Sequence, residues 1–155
     1  MPRLIILFLL SLLLAAFNIV TIDPINEKEA ILGRWKLCSY DAIDKVKSSP
    51  GYINASAPER ALIDEQFHAA LNYTYYEFSA DTLIYDDLLP MSSRLEKRRA
   101  MWKINENGII EIEEIDRPYK RQLYLNSVNT DSLVLQIVLD GRLPSAKMVF
   151  ARVKE

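Results

Sequence analysis

The side chains able to do covalent or acid–base chemistry are few and scattered. His68 is the sole histidine and Cys38 the sole cysteine. A thiol needs a neighbouring base to become a nucleophile, and these two fall on separate predicted elements. Ser132 and Ser145 lack a nucleophile-elbow context, and no Gly-rich phosphate loop is present. Asp86-Asp87 would point to opposite strand faces or lie in a turn, which argues against shared acid–base work. No His/Cys set has metal-ligand spacing. The sequence therefore predicts a non-enzyme with no catalytic residue, no metal and no cofactor.

Other groups suit binding better. Tyr73, Tyr75 and Tyr119 are flat and amphipathic, although cross-strand tyrosine pairs on an outer sheet face read the same way. Arg94, Lys97, Arg98 and Arg99 form a basic cluster interrupted by Glu96, which reads as a solvated loop and strand start. Glu111, Glu113 and Glu114 read as the outward acidic side of the adjacent strand, opposite Lys103 and Arg99.

The positioning elements follow from hydrophobic period. Ile31 to Ser39 alternates with Ile31, Gly33, Trp35 and Leu37 on one face, the pattern of a half-buried strand. Asp41 to Ala55 contains Ser48-Ser49-Pro50-Gly51 and reads as loop. Ser56-Ala57-Pro58-Glu59 has capping-box form, and Leu62, Ile63, Phe67, Ala70 and Leu71 continue at helical spacing. This predicts one amphipathic helix from Ser56 to Leu71, a lid or end plug for whatever it covers.

From Tyr73 onward the period is two. Strands are expected at Tyr73–Ser79, Thr82–Asp86, Arg98–Ile104, Ile109–Ile115, Tyr119–Val128, Ser132–Leu139 and Ala146–Val153. The clearest hairpin signal is Asn105-Glu106-Asn107-Gly108, because Asn-Gly accepts positive φ. Closely spaced strands joined by hairpins predict a mainly β chain whose eight-stranded antiparallel sheet closes into a barrel.

Ahead of this lies Met1-Pro2-Arg3, then an apolar run from Leu4 to Val20 broken by Ser11 and Asn18. Seventeen helical residues reach roughly 25 Å, short of the ~30 Å hydrocarbon core. Residues 1–20 thus read as a signal peptide or an uncleaved membrane anchor, and either way the remainder is exported. The periplasm, cell envelope and extracellular space all fit. Cys38 lies far from the leader, so a lipoprotein is not expected, and one cysteine cannot form an internal disulfide. Burial as a small hydrophobe is the expectation for it. The charge balance, 19 basic against 21 acidic side chains, offers no broad attraction to nucleic acid.

The chain resembles the lipocalin-like (calycin) superfamily, particularly its small exported bacterial members. The likeness rests on Leu32-Gly33-Arg34-Trp35-Lys36-Leu37, Tyr76-Glu77-Phe78-Ser79-Ala80-Asp81 and Trp102-Lys103-Ile104 before Asn107-Gly108. It continues through Asp131-Ser132-Leu133-Val134-Leu135 and Phe150-Ala151-Arg152. It implies an up-and-down barrel over residues 31–153, with one helix inserted between strands 1 and 2. It also implies that Gly33 and Trp35 close one barrel end, with Arg152 packed across the indole ring.

An eight-stranded barrel either fills itself or holds one small ligand. Tyr76, Phe78, Leu83, Tyr85, Trp102, Leu123 and Leu135 are the candidate cavity residues, with the two tyrosine hydroxyls orienting a small, mostly apolar ligand. Ile104, Ile110, Ile112, Leu125, Leu133 and Phe150 complete the expected inner face. The alternative is a filled barrel whose outer surface or loops meet a protein partner of the cell envelope. Contact with membrane is expected only through an uncleaved N-terminal segment.

Overall fold

The computed structural model describes residues 26–88, 94–143 and 146–154. The apolar leader, Ser145 and the segment around Pro90 lie outside the described residues. Eight strands pair in chain order and close: β1 (Gly33–Tyr40), β2 (Tyr75–Phe78), β3 (Thr82–Leu88), β4 (Leu95–Ile104), β5 (Ile109–Glu114), β6 (Lys120–Val128), β7 (Ser132–Val138) and β8 (Lys147–Arg152). All neighbours are antiparallel, and β8 returns to β1 with Trp35 opposite Arg152. Closure removes the unpaired edges that an open sheet would expose.

Period-two alternation decides what lies inside. Trp35, Tyr76, Phe78, Leu83, Tyr85, Trp102, Ile110, Ile112, Leu123, Leu125, Leu133, Leu135 and Phe150 form one buried cluster, with Ile104 partly buried against it. Tyr76 packs its ring 4.9 Å from that of Phe150, and Phe78 meets Trp102 edge-on at 5.0 Å. Such tilted contacts suit the ring quadrupoles. The interior from Trp35 up to Leu123 is packed with large side chains.

The connection between β1 and β2 holds more helix than expected. Asp41 to Ala55 is not loop: α2 (Asp41–Lys47) and α3 (Pro50–Ile53) occupy it, following the short α1 (Glu27–Ile31) that precedes β1. In α2, acidic residues stand in the first turn and lysines in the last, matching the helix dipole. In α3, Ser49 caps the helix and Pro50 opens it. Ile31 consequently ends a helix instead of starting a strand.

The fourth helix, α4 (Ala57–Tyr73), begins with the expected capping box: Ser56 and Glu59 each satisfy the other's backbone N–H. It runs two residues further than expected, taking Tyr73 out of β2. Its buried residue is Ala69, whereas Leu62 is exposed. The helix leads into β2 and touches β1, β3 and β4, so it crosses one side of the barrel rim. Lys47 and Tyr52 both reach Asp64, at 3.0 Å and 2.9 Å, which ties α2 and α3 to α4.

Candidate functional site

The barrel has two unlike ends. At the first, the indole N–H of Trp35 donates to Ile31 O at 2.7 Å, and the Arg152 guanidinium carbon stands 4.0 Å from the Trp35 ring centre. Arg152 also donates from Nε to Thr130 O at 2.6 Å, and from its terminal nitrogens to Leu32 O and Ala30 O, each at 2.8 Å. Gly33 is required here: its φ is +114°, and a Cβ would lie 2.8 Å from an Arg152 nitrogen. Trp102 lies toward the same end, donating to Ser79 O at 2.9 Å. Gly33, Trp35 and Arg152 thus lie together at this end of the barrel.

The opposite end is polar inside the wall. Tyr76 on β2 faces Tyr85 on β3, and Tyr85 faces Arg98 on β4. The Tyr85 hydroxyl donates to Glu114, whose carboxylate also accepts from Nε of Arg117 and, at 2.8 Å, from one of its terminal nitrogens. Arg117 reaches on to Asp87 at 3.2 Å. Arg121, on β6, crosses the interior: its guanidinium carbon lies 4.2 Å from the Tyr85 ring centre, and it donates to the Tyr76 hydroxyl at 2.8 Å.

These contacts set the protonation states. The Arg117 guanidinium beside Glu114 holds its carboxyl below the usual carboxylate range, against the effect of burial, and the Tyr85 hydroxyl adds to the lowering. Burial pushes the Tyr85 phenol well above the usual tyrosine range. At neutral pH the pair is therefore a neutral phenol donating to an ionised carboxylate. Two guanidinium Nε–H groups, those of Arg98 and Arg121, are buried with no acceptor among the described residues.

The seven candidate cavity residues all face inward and are buried. Tyr76 and Tyr85 lie at the polar end, and Phe78 and Trp102 toward the closed end. Sequence reasoning missed the charged members. Arg98 is not part of a solvated cluster: it turns into the barrel beside Asp87, with Glu96 holding its outer edge at 2.6 Å. Glu114 is not on the outward acidic face but is 6 % exposed inside the wall. The signal was available, since Ile110, Ile112 and Glu114 share one strand face. Glu111 does pair with Lys103, at 2.8 Å, while Glu113 takes Lys120 in place of Arg99.

Cys38 also departs from expectation. It is exposed, because alternation from the buried Trp35 and Leu37 puts it on the outer face, and the register shift that follows leaves Ser39 outward as well. His68 is exposed on α4. Tyr73, Tyr75 and Tyr119 do not pair with one another; Tyr75 stacks with Arg34 and Tyr119 with Arg117. Asp86 and Asp87 point apart as expected, Asp86 accepting from Tyr75 N at 3.0 Å. A groove of about 450 Å³ on the outer wall of β4, β5 and β6 has Met101, Lys103, Glu111, Glu113, Lys120 and Gln122 along it.

An eight-stranded up-and-down barrel, closed at one end by an arginine stacked on a Gly-x-Trp indole, has a lipocalin-like fold. Among solved structures, the chain is similar to a lipocalin-like protein from Bacteroides uniformis. The two share 14 % sequence identity at a TM-score of 0.49, over 80 % of this chain and 99 % of that one. No family model matches the chain, and no curated protein matches it.

Proposed function

We propose that this protein is a non-enzymatic, exported binding protein that takes one small molecule at the polar end of its barrel. The observation that carries the proposal is the difference between the ends. One is sealed by Trp35 and Arg152, while the other keeps half-exposed charged groups inside the wall, above a buried apolar floor. Tyr76 and Tyr85 supply the orienting hydroxyls, and apolar contact with the floor stabilises the complex by roughly 25 cal/mol per Å² buried. Export rests on the apolar run from Leu4 to Val20, with Met1-Pro2-Arg3 ahead of it.

Native mass spectrometry of protein purified from its source tests this reading. A co-purifying small molecule, released on unfolding, is expected. A bare protein that also fails to take up a fluorescent apolar dye would refute it.

A second reading has its own support. Ile115, Tyr119, Leu139 and Leu143 are exposed on the two loops that follow β5 and β7, both at the polar end. Clustered apolar side chains of this kind mark docking surfaces, and a module that binds an envelope protein there needs no ligand. Purification as a stable complex, with an empty barrel, would select that reading over the first.

A further inference from the structure

We infer that the Arg117 side chain latches the polar end shut, so that the filled barrel is a closed state and a ligand enters when the latch lets go. This inference rests on the binding function proposed above and adds how access to the site is controlled.

Space sets the problem. Tyr85, Ala100, Ile112 and Leu123 are buried below the polar end, and the Tyr76 ring stands 5.5 Å from that of Tyr85. An interior packed with side chains this large takes a guest only if some of them move aside. Tyr85 is among the largest of the fully buried side chains, and its hydroxyl is bound to Glu114. Whatever holds Glu114 therefore holds the Tyr85 ring in place.

Arg117 does the holding from outside. It lies on the short loop between β5 and β6 with 38 % of its side chain exposed, whereas the Glu114 side chain it binds is 1 % exposed. It donates to both Glu114 oxygens and, at 3.2 Å, to Asp87 near the end of β3. β3 and β5 do not pair, because β4 stands between them. One planar guanidinium thus bridges two non-adjacent strands at the mouth, through charge-assisted bonds that its fork geometry favours.

The two sides of the mouth are fastened differently. On the helix side, α4 buries Ala69 and packs Leu71 against the core. On the loop side, Ile115 and Tyr119 are 50 % and 43 % exposed, so the loop buries little apolar surface. Segments with few buried contacts open at the lowest cost. A site competent only when open binds with an affinity reduced by its open fraction, and loosening the latch restores that affinity.

Thiol labelling measures opening without any ligand. In a Cys38→Ser background, which removes the exposed native thiol, Ala100→Cys places a reporter opposite Glu114 at a position with no exposed surface. Leu133→Cys, equally buried and opposite Phe150 toward the closed end, is the control. Arg117→Met should speed labelling of Ala100→Cys by about tenfold or more, because a local opening has become cheaper, and leave Leu133→Cys unchanged. Asp87→Asn removes only the far arm of the latch and should give a smaller rise of the same kind. Uptake of a fluorescent apolar dye should be faster and tighter in Arg117→Met, with Cys38, Ala100 and Leu133 intact.

An unchanged Ala100→Cys rate in Arg117→Met would overturn the latch, and dye binding in the same proteins would leave the binding function standing. Equal acceleration at both reporters would mean general loosening of the fold and would also overturn it. Faster labelling at Ala100→Cys alone, with no dye taken up by any variant, would uphold the latch as a moving part and refute the binding function. Where Arg117→Met does not fold, Asp87→Asn decides the matter by the same comparison of the two reporters.

Discussion

Two arginines stacked on aromatic rings, Arg152 at one end of the barrel and Arg121 at the other, do opposite things. Arg152 lies over Trp35 and donates to three backbone carbonyls. Its charge is spread over fixed acceptors, and the result is a seal. Arg121 lies over Tyr85 with a bond to Tyr76 and an Nε–H that meets no acceptor among the described residues. Similar guanidinium–ring distances thus accompany a satisfied group in one place and an unsatisfied one in the other. Hydrogen-bond accounting, more than stacking, separates the two arginines.

The largest effect should come from the seal. Trp35→Ala removes a side chain with no exposed surface and should cost about 3–5 kcal/mol in urea unfolding. A loss below about 1 kcal/mol would mean that the closed end contributes little. Arg152→Met comes next, since it strips donors from three carbonyls and a cation from an indole. A cost of about 2–3 kcal/mol is expected from those bonds and the ring contact. Arg121→Met should cost nothing measurable, and a comparable loss there would erase the distinction between the ends.

Glu114→Gln sharpens the comparison from the polar side. At neutral pH it should cost about 1–2 kcal/mol, because a buried charge-assisted bond is weakened. The folded-state pKa of Glu114 is depressed, chiefly by Arg117. Its contribution is therefore present in full above the unfolded carboxylate value of about 4.3. It is lost as the pH falls from there through the lower folded-state value. Wild-type stability should decline over that acid interval, and Glu114→Gln should decline less. Parallel acid limbs for the two proteins would show that Glu114 is not coupled to folding. The smallest effect belongs to the outer wall: Lys103→Ala breaks an exposed pair with Glu111 and should change stability by no more than about 0.5 kcal/mol.

Part of the closed end was legible in the sequence as a local pattern, whereas the place of Arg152 across the Trp35 ring was implied only by the family resemblance. Gly33 and Trp35 sit two apart on an alternating strand, and the hairpin glycine at 108 has the positive φ, +72°, that its turn demands. The capping box at Ser56 was equally plain. The polar end was not legible, for two reasons. Arg98 and Glu114 look solvated beside other charged residues, and only a strict reading of strand parity would have turned them inward. Arg121 meets Tyr76 and Tyr85 across the barrel, a contact between distant strands that no local spacing encodes. The helices α2 and α3 were hidden by Ser-Pro-Gly, which reads as a turn and here also supplies a helix cap and first turn.

Resonances of buried N–H groups give the most direct test of a binding site at the polar end. Octanol, small and mostly apolar, added to isotope-labelled protein should shift the Arg121 and Arg98 Nε–H signals. The indole N–H signals of Trp35 and Trp102, bonded to Ile31 and Ser79, should stay in place. Shifts confined to the two indoles or to the outer wall of β4–β6, with both arginine signals unmoved, would contradict it.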